Sequence, residues 1–226
     1  MCRALNYRVM EFQLFDPQDD LAITSGNLPH WYQPGVTYFV TFRTEDSIPK
    51  QVADLWHRRR DEWLRRHGID PEECGFSAAL NRLPASKLWE FHQVFSQEYL
   101  DYLDRGYGGC VLAQPAAANL VAETLLHFHG DRYLLGDFVV MPNHVHLLVG
   151  LLGQTEITSL CYSWKKYSAG RVNRLLGRNG RFWQEESFDH LVRSAAQFER
   201  FQSYIAANPA KAGLQDGQFL LRPYRG

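Results

Sequence analysis

From Val36 to Arg43 the sequence VTYFVTFR is almost wholly β-branched and aromatic, and it follows a Pro34-Gly35 turn signal, which is the pattern of a strand buried on both faces. The period then becomes helical. Pro49 to His67 carries Val52, Leu55, Trp56 and Trp63 at three- and four-residue spacing and stops at Gly68. A second helix is predicted from Pro84 to about Leu103, with Leu88, Phe91, Phe95 and Tyr99 in one stripe. The run Arg105 to Gly109 breaks it, and a third helix runs from about Ala116 to Phe128. Tyr133 opens a strand pair in which Phe138–Met141 and Leu147–Val149 flank a Pro142-Asn143 turn. Thr158 to Leu176 is helical by pattern and closes at Asn179-Gly180. Phe182 to Val192 reads as a fourth strand, and Ser194 to Asn208 as a last helix that Pro209 and Gly213 terminate.

That order predicts an α+β fold: a ferredoxin-like antiparallel four-stranded sheet with helices on one face, plus a helical insertion after the first strand. The expected boundaries are an irregular N-terminal arm over 1–34, a domain over 35–214 with the insertion at about 48–114, and a tail over 215–226. With 45% hydrophobic residues the 226-residue chain can bury a full core. No apolar run approaches the roughly 18 residues that span a bilayer, and the first residues lack a signal-peptide core, so a cytoplasmic protein is expected. Cys2, Cys74, Cys110 and Cys161 form no C-x-x-C pair and read as small buried apolar groups rather than a disulfide framework.

The net charge of −1 conceals an uneven distribution. Between Glu156 and Glu185 no acid occurs, while Lys165, Lys166, Arg171, Arg174, Arg178 and Arg181 all do, a candidate phosphate-binding surface. Trp164, Tyr167, Phe182 and Trp183 interleave with them. Aromatic faces among cations suit unstacked bases, although the same rings also suit a core. Arg58, Arg59 and Arg60 form a second basic cluster, and read equally as a grip on phosphates or as part of a lid packed on the sheet.

On a strand, residues i and i+2 share a face, so His144 and His146 project together from one side while Val145, Leu147 and Val149 face the other. That is metal-ligand spacing. A zinc hydrolase with such a pair needs a further acid or histidine soon afterwards, and Leu147 to Gln154 supplies neither, so a third ligand must come from elsewhere in the chain. Tyr204 and Asn208, one turn apart on the last helix, put a hydroxyl and an amide on a single face. His190 reads as a hydrogen-bonded strand-end histidine outside the catalytic set.

MPNHVHLLV followed by YIAANPAKAGL, with RFWQEESFDHLVR between them, resembles the REP-associated tyrosine transposases, relatives of the single-tyrosine HUH transposases that move insertion sequences as single-stranded DNA. The resemblance implies His144 and His146 as metal ligands, Asn208 completing the metal site, and Tyr204 as nucleophile. It implies Mg²⁺ or Mn²⁺ as cofactor and a 5′-phosphotyrosine intermediate. The implied partners are single-stranded DNA and REP-like DNA hairpins, met by a monomer or homodimer, with no membrane. The insertion at about 48–114 is longer than the single helix that the family pattern has between its first two strands. A non-catalytic, domesticated hairpin-binding protein and a zinc hydrolase are the alternatives to a transposase.

Overall fold

A computed structural model of the chain describes residues 12–19, 22–25, 29–73, 76–91, 94–95 and 97–224. Its elements in chain order are β1 (Ala22–Ser25), β2 (Pro29–Tyr32), β3 (Thr37–Arg43), α1 (Lys50–Arg66), α2 (Phe76–Asn81), α3 (Ala85–Phe91), α4 (Gln97–Asp104), α5 (Pro115–Leu126), β4 (Tyr133–Val140), β5 (His144–Leu151), α6 (Ile157–Leu175), β6 (Phe188–Leu191), α7 (Ala195–Lys211) and β7 (Leu220–Arg222). The main sheet has the order β6-β3-β5-β4-β7, and every pairing in it is antiparallel.

β5 occupies the centre, hydrogen bonded to β3 on one side and β4 on the other, and all eight of its residues are buried. Its alternation sorts the chemistry from the core. Val145, Leu147, Val149 and Leu151 join the largest apolar cluster, which Tyr38, Val40 and Phe42 of β3 share with α5 and α6. His144, His146 and Leu148 face the other way, where Phe39, Val139 and Met141 meet Phe198, Phe201 and Ile205 of α7. The expected separation of the histidines from the apolar face is therefore present.

Several expectations are corrected. The sheet has five strands, not four, because β7 pairs with the outer side of β4; three residues are too few to show a period in sequence. Helices cover both faces, α5 and α6 one and α7 the other, since Phe39, Val139, Met141 and Leu148 are apolar on the histidine side and need cover as well. The single helix predicted from Pro84 to Leu103 is two, α3 and α4, with a π-type turn at Val94–Phe95 between them, and α2 precedes both. These insertion helices pack Trp56, Leu64, Phe76, Leu80, Phe91 and Phe95 into a core of their own. The fourth strand shrinks to Phe188–Leu191, and Trp183 touches the sheet only through an isolated bridge to Thr44.

The lead-in is less irregular than expected. β1 and β2 form a hairpin, and Phe15 N–H donates to the Val192 carbonyl while Thr37 N–H donates to that of Gln13. Cys161 is buried and Cys110 only half-buried; Cys2 and Cys74 lie outside the described residues. Among the described residues no helix is long and apolar enough to cross a membrane.

α7 starts at Ser194, whose hydroxyl accepts from Gln197 N–H at 3.2 Å. It does not end at Asn208. The helix carries Pro209 inside its last turn, where the missing N–H costs one bond, and runs on to Lys211 before Gly213 takes the left-handed conformation at φ +67°. The extra turn matters for the site below.

Candidate active site

The β3–β5 register sets Thr41 opposite His146 and Arg43 opposite His144, and paired residues share a face. Each imidazole is held by its inner nitrogen. His144 Nδ1 lies 2.7 Å from Asn143 Oδ1, and Asn143 is itself fixed because its Nδ2 donates to the Tyr107 carbonyl at 2.9 Å. Since Asn143 Oδ1 can only accept, the proton of a neutral His144 sits on Nδ1 and leaves Nε2 as a bare lone pair. His146 Nδ1 lies 2.7 Å from Thr41 Oγ1, and its Nε2 lies 3.4 Å from the Tyr204 hydroxyl. The two rings are 4.5 Å apart, centre to centre.

Both histidines are almost wholly excluded from water, at 1% and 0% exposure. Burial pushes His144 down to about 3 and lowers His146 as well, with His144 and Lys211 adding to the effect on His146. Both are thus neutral, the form that ligates a metal.

Besides Asn208, the residue that the resemblance implies, the insertion brings a carboxylate to the two histidines as a candidate third ligand. Asp104, at the last position of α4, has its Oδ1 3.8 Å from His144 Nε2, and ligand atoms of Asp104, His144 and His146 all lie within 4.8 Å of one another. Asn208 Nδ2 donates to Asp104 Oδ1 at 3.0 Å. Two buried atoms here have no hydrogen-bond partner, His144 Nε2 and Asn208 Oδ1. Orphaned buried acceptors of this kind cost stability unless something fills the space between them. Two imidazole nitrogens, a carboxylate and an amide oxygen fit a divalent cation.

One signal for Asp104 was present in the sequence. Asp101 and Asp104 both lie in the C-terminal part of α4, where the helix dipole disfavours negative charge, so an acid there needs a cation. Lys211 of α7 is such a cation, its Nζ 2.8 Å from Asp101 Oδ1 and 2.8 Å from Asp104 Oδ2.

Tyr204 is half-buried and packs edge-on against His146, at 5.1 Å, and Phe39, at 5.9 Å. Burial, followed by the charges of Asp104 and Asp101, raises its hydroxyl far above the ordinary phenol value, against a smaller opposing effect from Asn208. His144, His146, Tyr204 and Asn208 are thus gathered in one place.

The basic segment is not gathered with them. α6 packs with α5 against the opposite face of the sheet. Lys165 donates to the backbone carbonyls of Gln184 and Glu185, Arg171 pairs with Glu123, and Arg181 lies 3.5 Å from Glu185. Lys166 lies over the exposed Tyr162 ring, Arg178 over that of Phe182, and Arg174 is exposed. Trp183 corrects an expectation: it is 4% exposed and donates its indole N–H to Ser168 Oγ at 2.9 Å, so it is core and offers no face to a base. Arg181, with Arg43, His57, Tyr99 and Tyr102, also lines a cavity of about 400 Å³ between the insertion and the end of β3. In the second basic cluster Arg60 is buried beside Trp56 and bonded to Asp61, while Arg59 pairs with Glu98. His190 bonds Gln197 at 2.7 Å.

Comparison with known proteins follows the same residues. The family model of IS200-like transposases matches residues 127–208. Among solved structures, a REP-associated tyrosine transposase bound to a REP hairpin is 16% identical, with 82% of this chain and 73% of that one covered, at a TM-score of 0.44. A transposase-class protein of Deinococcus radiodurans is 17% identical, with 78% and 93% covered, at 0.27. No curated protein matches. The family match spans both histidines, Tyr204 and Asn208 but neither Asp104 nor Lys211, and it is over residues 127–208 that this chain is similar to the IS200-like transposases.

Proposed function

We propose that the protein is a metal-dependent transposase that nicks and rejoins single-stranded DNA beside hairpin-forming repeats, with Tyr204 as the covalent nucleophile. The observation that carries this is the convergence, on one sheet face, of the Tyr204 hydroxyl with His146 Nε2 at 3.4 Å and with the orphaned His144 Nε2 and Asn208 Oδ1. His144, His146 and Asp104 would hold the ion, with Asn208 at its margin. A bound Mg²⁺ or Mn²⁺ supplies positive charge to the non-bridging oxygens of the scissile phosphate.

The chain's own residues do the rest. Phe39 and His146 hold the Tyr204 ring edge-on so that its oxygen is presented to the site. That oxygen bonds to phosphorus as the bond from phosphorus to the 3′ oxygen breaks; the phenol proton is lost and the departing 3′ oxygen gains one. The products are a 5′-phosphotyrosine and a free 3′-hydroxyl. Because phenol is more acidic than a sugar hydroxyl, the phosphotyrosine stays open to attack by a 3′-hydroxyl and strands can be rejoined. Burial, followed by the negative charge of Asp104 and Asp101, opposes ionisation of Tyr204, so positive charge at the site would favour the attack.

The substrate reading follows from the layout. Lys166, Arg174 and Arg178 on and after α6 supply phosphate contacts on one side of the sheet. We take the cavity that Arg181 and Arg43 line, between the insertion and the end of β3, as the path from there toward the site. A single strand leaving a gripped hairpin can follow that path, whereas a rigid duplex cannot turn so sharply. The match of residues 127–208 to the IS200-like transposase family supports the reading, and the hairpin enters here as part of the proposal.

The test is covalent trapping. An end-labelled hairpin oligonucleotide with single-stranded flanks should form a denaturant-stable adduct with the protein in Mn²⁺, and none with Tyr204→Phe or in chelator. A Tyr204→Phe protein that still forms the 5′-linked adduct would show that another tyrosine is the nucleophile, and hydrolysis without any adduct would favour a metal hydrolase.

A further inference from the structure

Lys211 lies outside the segment that matches the transposase family, and it is present at the site only because α7 continues past Pro209. Tyr204, Asn208 and Lys211 follow one another at i, i+4 and i+7, so the three share a helix face. Besides its two carboxylate partners, the Lys211 ammonium lies 6.0 Å from the centre of the Tyr204 ring. Its side chain is 48% exposed, whereas that of Asp104 is 6% exposed, so the lysine stands at the mouth of the site and the aspartate on its floor.

Both oxygens of Asp104 are engaged: Oδ1 accepts from Asn208 Nδ2 and Oδ2 from Lys211. A dication bound by Asp104 and the two histidines shares that carboxylate with an ammonium, and two cations on one anion repel each other. A phosphodiester entering beside Tyr204 offers the ammonium an alternative partner of the right charge.

Resting on the reading of Tyr204 as nucleophile, we infer that Lys211 is a phosphate-binding catalytic residue that waits on Asp101 and Asp104. In the free protein it competes with the divalent ion for Asp104. When single-stranded DNA enters, its ammonium passes to a non-bridging oxygen of the scissile phosphodiester, where it stabilises the charge that builds up as the Tyr204 oxygen attacks. The exchange leaves Asp104 to the metal. Ion and substrate therefore bind cooperatively, each relieving what the lysine opposes in the other.

The experiment separates this from a structural role. A lysine that merely ties α4 to α7 would, on removal, loosen Asp104 and weaken metal binding. A competitor would, on removal, strengthen it. Calorimetry of Mn²⁺ binding to the full chain without DNA should show Lys211→Ala binding about fivefold or more tighter than wild type, and Lys211→Arg close to wild type. At saturating Mn²⁺, adduct formation by Lys211→Ala should fall about 100-fold while hairpin affinity stays within about twofold, with Lys211→Arg partly restored. Unchanged or weakened Mn²⁺ binding in Lys211→Ala would overturn the competition. Tighter Mn²⁺ binding with undiminished adduct formation would overturn the phosphate contact. An absence of adduct in the wild-type protein itself would instead sink the transposase reading, and the phosphate contact with it.

Discussion

Nε2 of His144 lies 3.8 Å from Oδ1 of Asp104, although forty residues, among them α5 and β4, separate the two along the chain. The distance is too long for a hydrogen bond and suits two ligands of one ion. The insertion thus brings a carboxylate to two histidines, a tyrosine and an asparagine that lie within the segment matched by the IS200-like transposase model.

If Asp104 is a ligand, Asp104→Asn should weaken Mn²⁺ binding by about tenfold or more, since a neutral amide replaces the one negative charge among the donors. Hairpin affinity should be preserved, because the basic residues of α6 lie on the other side of the sheet. Calorimetry with and without DNA measures both, and equal Mn²⁺ affinity in the two proteins would remove Asp104 from the site.

Acid stability is set in part by the buried imidazoles. His144 is held down at about 3, against an unfolded value of 6.5. Between these values the unfolded chain binds more protons than the folded one, so stability rises with pH through that window and is lost as pH falls through it. In chelator, His144→Gln, which cannot titrate, should lose melting temperature less steeply than wild type between pH 7 and pH 5. Parallel curves would count against burial as the cause.

Trp183 was a candidate stacking platform in the sequence and is a core residue in the fold, edge-on to Phe42 at 4.8 Å and bonded to Ser168. Trp183→Ala should therefore cost about 3 kcal/mol or more of stability in urea unfolding. A variant of wild-type stability that had lost DNA affinity would return the ring to the binding surface.

The three arginines of the insertion separate in the same way. Arg60 lies 5.6 Å from the Trp56 ring and 6.0 Å from that of Phe76, so Arg60→Ala should cost about 1 to 3 kcal/mol of stability. Arg58 is exposed, and Arg58→Ala should change stability by no more than about 0.5 kcal/mol. Salt-dependent hairpin titrations of Arg58→Ala then report on DNA contact without the folding effect that a triple substitution would introduce.

What the sequence determined by itself was local. The period-2 alternation of HVHLLV placed the two histidines on one face and the valines and leucines on the other, and the i, i+4 spacing placed Tyr204 and Asn208 together, because both relations follow from backbone geometry alone. The strands β3, β4 and β5 and the helices α1, α5, α6 and α7 were legible for the same reason. The tertiary structure decided what meets across long separations. Only packing could show that Asp104 closes the site, that Lys211 neutralises it, that the basic helix lies on the opposite face, or that Trp183 is interior. An apolar or aromatic residue reads the same whether its partner is a core or a base, and a carboxylate reads the same in solvent or beside a metal. Its neighbours in space, brought there by burial of β5 between β3 and β4 and by docking of α4 on α7, set its environment and hence its chemistry.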